Sequence, residues 1–460
     1  MALRKSRSRW PAPTSEPLAD IAARESSLDL KRRLVAGASG TSGLTVFYTG
    51  LLFVTTLVLT RALGASAYGV FAQVSAVVAL VGVAASPGVE RLLTREIAVY
   101  GATGENSLAR GLLRMSSKVV LLLSLSTSLV AALATWLING RAVTPLVIAF
   151  WVGFTIVPLN ALSRTRAAAL MGLRRVITAQ VPEMVVRPVL FLVLAIVLQY
   201  AFPPFTVLDA IALSAMASAV AFLTGAYLMH RDTPQPVRQA IPSYDLRSWR
   251  RSAAHFFAIS ATTVVSAQIG IVLLSALSTS ANAGLFAVAN RGAAIILLGI
   301  TAVSTVIAPS AARLWAQGDV ARLQRIVTTS ARATAVFAVP VTVALIVFGS
   351  YFLALFGSEF QEATLALRIL CVGQLATSFT GSVTQLLLMA GQERRVAIAV
   401  GIGAILHVVF DLALIPIWGL EGAAVGATAS LIVSEVILVR AVRQTLGIRL
   451  TMLGRMKAVG

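Results

Sequence analysis

The feature that most constrains this chain is a recurring one. Apolar stretches of about 18–26 residues, separated by short polar turns, fill the sequence from residue 42 to residue 439. At ~1.5 Å of rise per residue, each is long enough to cross about 30 Å of hydrocarbon as a helix. They cover residues 42–60, 68–86, 119–138, 145–162, 177–198, 207–229, 255–277, 285–308, 333–356, 365–390, 396–418 and 422–439, and predict twelve transmembrane helices. Composition agrees. Of 460 residues, 57% are hydrophobic and 12% charged, about half the ~25% charge usual in soluble domains. Mean hydropathy is +0.86. A soluble chain of this length could not cover its surface with so few polar groups, so an ordinary soluble enzyme is excluded.

The net charge of +20 does not point to nucleic acid. Lys and Arg fall in short clusters between the apolar runs instead of massing on one polar face. Loops leading from odd to even segments are almost free of them: Arg61 in the first, Arg141 in the second, and no Lys or Arg in 199–206, 278–284, 357–364 or 419–421. The alternate loops are basic. They carry Arg91, Arg95 and Arg110; Arg164, Arg166, Arg174 and Arg175; Arg231, Arg238, Arg247, Arg250 and Arg251; Arg313, Arg322 and Arg325; and Arg394 and Arg395. The end of the chain adds Arg440, Arg443, Arg449, Arg455 and Lys457. This alternation holds at every crossing, requires an even number of helices and predicts both termini in the cytoplasm.

Residues 1–33 are polar and open on Arg4, Lys5, Arg7 and Arg9. No apolar core follows that basic start directly, as it does in a secretory signal peptide, so a disordered cytoplasmic tail is expected there. The expected organisation continues with a six-helix bundle over 34–230, a cytoplasmic linker over 231–252, a second six-helix bundle over 253–445 and a cytoplasmic tail over 446–460. The basic loop 309–332 reads as a helix lying on the membrane surface. The single cysteine, Cys371, excludes an internal disulfide framework and reads as a small buried hydrophobe. The three histidines, His230, His255 and His407, are too scattered for a metal motif, and no cofactor is implied.

The two halves echo each other. Gly69-Val70-Phe71-Ala72 opens the second segment and Gly284-Leu285-Phe286-Ala287 opens the eighth, an offset of 215 residues. Leu170-Met171-Gly172 and Arg174-Arg175-Val176 follow the fourth. Leu388-Met389, Gly391 and Arg394-Arg395-Val396 follow the tenth, and the Arg-Arg-Val offset is 220. Six helices is an even number, so the second half enters from the same side as the first. The fold class expected is therefore an all-α membrane protein, its two six-helix bundles parallel repeats about an axis along the membrane normal, with the V-shaped architecture of a transporter.

Ionisable side chains within such spans are costly and mark candidate sites. Arg187 lies about 15 Å into the fifth segment, with Glu183 one turn before it on the same face. The two read either as a self-neutralising structural pair or as part of a substrate site. Pro182 and Pro188 flank them and predict a kink or broken turn. Arg291 lies about 10 Å into the eighth segment, beside Asn290, with no acid near it in sequence. It must face a wet cavity or an anion, or pair with Asp411 of another helix. His407 and Asp411, four residues apart in the eleventh segment, read as a proton-titratable couple or as hydrogen bonds between helices. Asp209 and Glu435, near segment ends, read as solvated. Asn160, Gln268 and Gln374 read as polar packing between helices. No Gly-Lys-Ser/Thr loop is present, so ATP hydrolysis within the chain is not expected.

Three junctions carry a resemblance. Thr60-Arg61-Ala62-Leu63-Gly64 with Tyr68-Gly69-Val70-Phe71 resembles the helix 1–2 junction of bacterial polysaccharide flippases, a branch of the multidrug/oligosaccharidyl-lipid/polysaccharide exporter superfamily. Leu355-Phe356-Gly357-Ser358-Glu359-Phe360 with Leu367-Arg368-Ile369-Leu370 resembles that family's helix 9–10 junction. Leu414-Ile415-Pro416, Gly419 and Gly422-Ala423-Ala424 resemble its helix 11–12 junction. The resemblance spans roughly residues 35–445. One departure is that the family often has Asn on helix 11 before the Ile-Pro, where this chain has His407 and Asp411.

The resemblance implies an inner-membrane flippase for an undecaprenyl-pyrophosphate-linked oligosaccharide, in contact with membrane lipids and with polysaccharide polymerase or export machinery. Arg187, Arg291 and Asn290 would meet the pyrophosphate head group. Glu183, Asp411 and His407 would serve ion coupling. Moving two negative charges outward down an inside-negative potential would release roughly 4–5 kcal/mol per 100 mV, so no ATP is required. Two other readings remain open on the residues alone. One is an ion-coupled drug antiporter of the same superfamily. The other is a membrane-embedded glycan polymerase or ligase, which the short outer loops disfavour.

Overall fold

The computed structural model describes residues 27–446 other than 202, 318, 381 and 382. Residues 1–26 and 447–460, most of the two expected tails, lie outside the described residues. Among the described residues the secondary structure is helix, with no strand. In chain order the α-helices are α1 (Ser27–Ala85), α2 (Val89–Thr103), α3 (Asn106–Ile138), α4 (Pro145–Gly172), α5 (Val176–Val181), α6 (Arg187–Ala201), α7 (Val207–Asp232) and α8 (Gln235–Gln239). They continue as α9 (Leu246–Leu277), α10 (Ser280–Ala294), α11 (Leu297–Ala316), α12 (Val320–Ala354), α13 (Thr364–Thr380), α14 (Val383–Met389) and α15 (Glu393–Leu446).

Among the described residues nine helical stretches are long and apolar enough to cross a membrane. Two of them cross twice. α1 breaks at Gly64 (φ 73°, ψ 175°), and Tyr48 and Gly82 from its two arms line one small cavity, which a straight helix would hold about 50 Å apart. α15 breaks at Gly419 (φ 53°, ψ −120°), and beyond it Gly422 returns against the Leu414 carbonyl. A left-handed residue such as glycine tolerates is what each of these near-loopless reversals requires. The eighth crossing is made by α10 and α11 together. All twelve predicted spans are therefore present.

The repeat is visible in the turns that end spans 4 and 10. Arg175 N–H bonds the Leu170 carbonyl and Arg174 N–H the Met171 carbonyl, each at 2.9 Å. Gln392 N–H bonds Leu387 O at 2.9 Å and Gly391 N–H bonds Leu388 O at 3.1 Å in the same pattern. Both are Schellman turns whose left-handed residue is Arg174 (φ 62°) in one half and Gly391 (φ 71°) in the other. Their offset is 217 residues, so the Arg-Arg-Val match at 220 is out of register by three and the Leu-Met pair by one.

Other sequence expectations need correction. No surface helix occupies 309–332: α11 and α12 run on beyond the apolar segments and leave only a short turn between them. A surface helix stands instead at α2. It packs Val89, Leu92, Leu93, Ile97 and Tyr100 inward, at the i, i+3, i+4 spacing of an amphipathic helix. Glu435 is not solvated at a helix end; its carboxylate accepts a 2.8 Å bond from the Thr380 hydroxyl across spans 12 and 10. Asp209 does sit at a helix start, where it completes a capping box with Thr206.

The halves meet at the end of the bundle that carries the short loops poor in Lys and Arg. There Arg61 Nε donates to the Leu355 carbonyl at 2.8 Å, and Ala65 N–H donates to Glu359 Oε2 at 2.9 Å. The hydroxyls of Ser66 and Ser280 lie 3.2 Å apart. Beneath them the Phe53 ring meets Phe356 edge-on at 5.3 Å, and Tyr68 meets Phe360 at 6.3 Å. At the opposite, basic end, Gly88 lies against the backbone of Ala253 and Phe257.

Candidate functional site

Between spans 1, 2, 4, 5, 6 and 8 lies a cavity of about 280 Å³. Arg187 and Glu183 of span 5 and Arg291 of span 8 all line it. Sequence reasoning had singled out these three side chains on two different helices, and the fold brings them to one chamber.

Span 5 positions its pair through a local defect. Between α5 and α6, residues Pro182–Val186 form a π-helical turn, closed by the bond from Arg187 N–H to the Pro182 carbonyl. Such a bulge is a broken turn of the regular ladder, to which the two flanking prolines cannot donate. Arg187 Nη1 then reaches Glu183 Oε2 at 3.2 Å, with 32% and 22% of the two side chains exposed. The other carboxylate oxygen, Glu183 Oε1, is buried without a hydrogen-bond partner. Arg291 crosses from the second half to the first, where Nη1 lies 3.5 Å from the Leu52 carbonyl of span 1. It is exposed within the chamber.

Two further residues belong to the site that sequence reasoning assigned elsewhere. The apolar run of segment 4 stops at residue 162, so in sequence Arg164 reads as a loop cation. α4 in fact continues to Gly172, and Arg164 is an exposed residue of the cavity wall. Asn160, one turn earlier, is a residue of the same wall and not only polar packing, with Oδ1 buried and unpartnered. The signal for both was the helical spacing of two polar residues four apart, which points them to one face. Arg166 faces elsewhere. It donates to the Phe222 carbonyl at 3.1 Å and stacks at 4.0 Å over the Phe222 ring, fixing span 4 to span 6. Among these charged wall residues, three guanidinium groups face one carboxylate, so the chamber suits an anion.

The remaining expectations fall outside this chamber. Asn290 does not line it. Arg291 does not pair with Asp411; that carboxylate stands beside His407 Nε2 at 3.4 Å, both side chains almost wholly buried. The couple sits in the second half, where Asp411 is held between Gly270 of span 7 and Gly426 of span 12. Both carboxylate oxygens of Asp411 lack a hydrogen-bond partner. Among the described residues, no group of three or more His, Cys, Asp or Glu is placed to hold a metal.

The chain matches the family described as polysaccharide biosynthesis protein over residues 34–315 and the MatE family over 256–413. No curated protein sequence matches it. Solved structures do. An inward-facing multidrug resistance MATE family transporter of the MOP superfamily superposes with a TM-score of 0.66 at 16% identity, covering 85% of this chain and 94% of the other. The lipid II flippase MurJ in its inward closed conformation gives 0.67 at 12% identity, covering 87% of each chain. The Vibrio cholerae MATE transporter VcmN gives 0.63 at 15% identity, covering 90% and 97%. At these identities the likeness establishes the shared fold.

Proposed function

Because this chain belongs to the polysaccharide biosynthesis protein family, we propose that it flips an undecaprenyl-pyrophosphate-linked oligosaccharide from the inner to the outer leaflet of a bacterial cytoplasmic membrane. It is a multi-pass membrane transporter, and its family and structural neighbours are transporters and flippases, not enzymes.

The observation that carries the substrate reading is the convergence of Arg164, Arg187 and Arg291 on one cavity with Glu183 as the counter-charge. Guanidinium groups bind phosphate oxygens in pairs through a planar fork, which a pyrophosphate can engage at more than one point. Glu183 holds Arg187 at 3.2 Å. An arriving pyrophosphate offers that arginine a stronger acceptor and leaves the carboxylate free for a sugar hydroxyl. Asn160 offers a further acceptor at the same wall. The lipid tail stays in the bilayer beside the cleft. With the basic end in the cytoplasm, the contacts that join Arg61 to Leu355 and Ala65 to Glu359 lie on the outer side and must part for release there. His407 and Asp411 supply the coupling couple, and the membrane potential adds its share for a doubly anionic cargo. Polymerase and export proteins would receive the product on the outer face.

The MATE neighbours favour a second reading, ion-coupled drug export, but a chamber with an excess of guanidinium groups repels the organic cations such a pump would carry.

The test is a deletion strain assayed for lipid-linked oligosaccharide on each leaflet. We expect it to accumulate on the inner leaflet, and normal surface polymer without accumulation would refute the flippase reading. Complementation with Arg291→Ala or Arg164→Ala should fail although the protein inserts normally. Full activity in both variants would remove the arginines from the head-group site.

A further inference from the structure

A second chamber stands apart from the one described. At the basic end, residues of α2, α3 and the start of α9 line a cavity of about 1270 Å³, a wedge between the two halves. This exceeds the range of ~300–1,000 Å³ common for drug-sized ligands. Its apolar wall is Leu92 of α2, Leu112, Met115 and Val119 of α3, and Phe257 of α9. Its mouth carries Arg247 and Arg250, three residues apart on one face of α9 and both exposed. Asp245 also lines the mouth, but its carboxylate is engaged at the helix start, where it accepts the Ser248 N–H at 3.3 Å.

The wedge is held open by fixed contacts. Trp249 Nε1 donates to the Tyr100 hydroxyl at 2.9 Å, a buried bond between α9 and α2. Ser243 N–H donates to the Ser107 carbonyl at 3.0 Å, and Gly111 lets the Ser243 carbonyl approach α3 closely. Arg247 and Arg250 precede the apolar run that begins at residue 255, and Phe257 and Val119 stand at the starts of their apolar runs, 255–277 and 119–138. At ~1.5 Å per residue Arg247 lies about 12 Å and Arg250 about 8 Å before the span begins, so the cations belong to the headgroup zone and the inner end of the wedge to the entrance of the hydrocarbon.

We propose that this wedge is a binding site for one anionic glycerophospholipid of the leaflet at the basic end, its phosphate on Arg247 and Arg250 and an acyl chain against Val119 and Phe257. Such a lipid bridges α2 and α3 of the first half to α9 of the second, and so would stabilise the present arrangement of the halves. A zwitterionic lipid fits the apolar wall equally but brings its own cation to the arginines, so headgroup charge is the discriminating property.

The test uses the full-length protein in detergent, titrated separately with phosphatidylglycerol and phosphatidylcholine, with bound lipid counted by native mass spectrometry. One phosphatidylglycerol should be retained in preference to phosphatidylcholine. Arg247→Gln combined with Arg250→Gln should weaken it about thirtyfold, at ~1 kcal/mol per basic residue. Val119→Trp, which fills the apolar end and leaves the arginines in place, should weaken it as well. Arg322→Gln with Arg325→Gln, exposed cations elsewhere at the basic end, should leave it unchanged. Equal retention by the double variant, equal binding of phosphatidylcholine, or equal loss in the Arg322/Arg325 control would each overturn the proposal. None of these readouts involves transport, so the outcome is independent of the flippase reading.

Discussion

Gly69 of span 2 and Gly284 of span 8 lie face to face where the two halves cross. A methyl group on Gly69 would collide with the Ser280 carbonyl, and one on Gly284 with the Ala65 carbonyl. These are the glycines that open the repeated Gly-(Val/Leu)-Phe-Ala element, so the sequence repeat marks the place where the halves touch on their shared axis. Gly69→Ala or Gly284→Ala should push the crossing apart. Overpacking of this kind costs about 1–3 kcal/mol. Because the strain exists only while the halves are in contact, it should favour the state that is open at this end. Cysteines placed at Ser66 or Ser280 should then label faster in the alanine variants than in the parent; unchanged labelling would show that the crossing yields without opening.

Glu359 caps the second arm of α1 from across the interface. Its Oε2 accepts the N–H of Ala65, the residue that follows the break at Gly64. A carboxylate at a helix start satisfies a free N–H and meets the positive end of the dipole. Glu359→Gln keeps an acceptor and loses the charge; Glu359→Ala loses both. The expected order of labelling rates at Ser66→Cys is parent, then Gln, then Ala, with the full span about fivefold for a cap of ~1 kcal/mol. Equal rates in all three would remove Glu359 from the closure.

The surface helix α2 is fastened to span 7 by the buried bond between Tyr100 and Trp249. Burial raises the Tyr100 phenol above its ordinary value of 10.0, partly offset by its hydrogen bond with Trp249, and the acids Glu96, Asp245 and Glu105 push it further up. The folded state thus prefers the neutral phenol. Its contribution is complete below the ordinary tyrosine pKa and is lost as pH rises beyond it. Thermal stability should fall above about pH 10 more steeply in the parent than in Tyr100→Phe, as followed by the unfolding midpoint. Trp249→Phe should lower that midpoint near neutral pH, through a lost bond worth about 1 kcal/mol.

The spans and their count were legible because hydrocarbon leaves a chain few options: length, apolarity and loop charge each report the same crossing. Pro182 and Pro188 likewise announced the π-helical turn beside Arg187. The cavity was only partly legible. Arg187, Glu183 and Arg291 stand out as charges inside apolar runs, whereas Arg164 lies past the end of one and looks like loop charge. What places it in the wall is the length of α4, and helices extend beyond the apolar run when their arginines turn toward a wet interior. The surface helix was missed at α2 and expected at 309–332 for a related reason. A basic loop between spans gives no measure of where each helix stops. Register within the repeat failed at the turn after span 10, because backbone conformation there follows the left-handed residue, Arg174 or Gly391, and not the later Arg-Arg pair.

Asp411 shows how a glycine can govern a charge. The carboxylate rests against Gly426, where a Cβ would collide with Oδ1, and a Cβ on Gly270 would stand 3.5 Å from Oδ2. Gly426→Ala must therefore push the Asp411 side chain out of its place beside His407, without altering either ionisable residue. If the couple serves transport coupling, Gly426→Ala and Asp411→Asn should fail in the same way: inward-side binding of the lipid-linked cargo retained, net flipping in proteoliposomes reduced at least tenfold, and the response to an imposed pH gradient lost. Gly270→Ala, whose Cβ would be in ordinary contact with Oδ2 but 3.1 Å from the Phe286 ring, should do less through Asp411 and more through packing, lowering thermal stability first. Normal gradient-driven flipping in Asp411→Asn would assign the couple to helix packing alone, since the amide keeps the shape of the side chain and loses only its capacity to carry a proton.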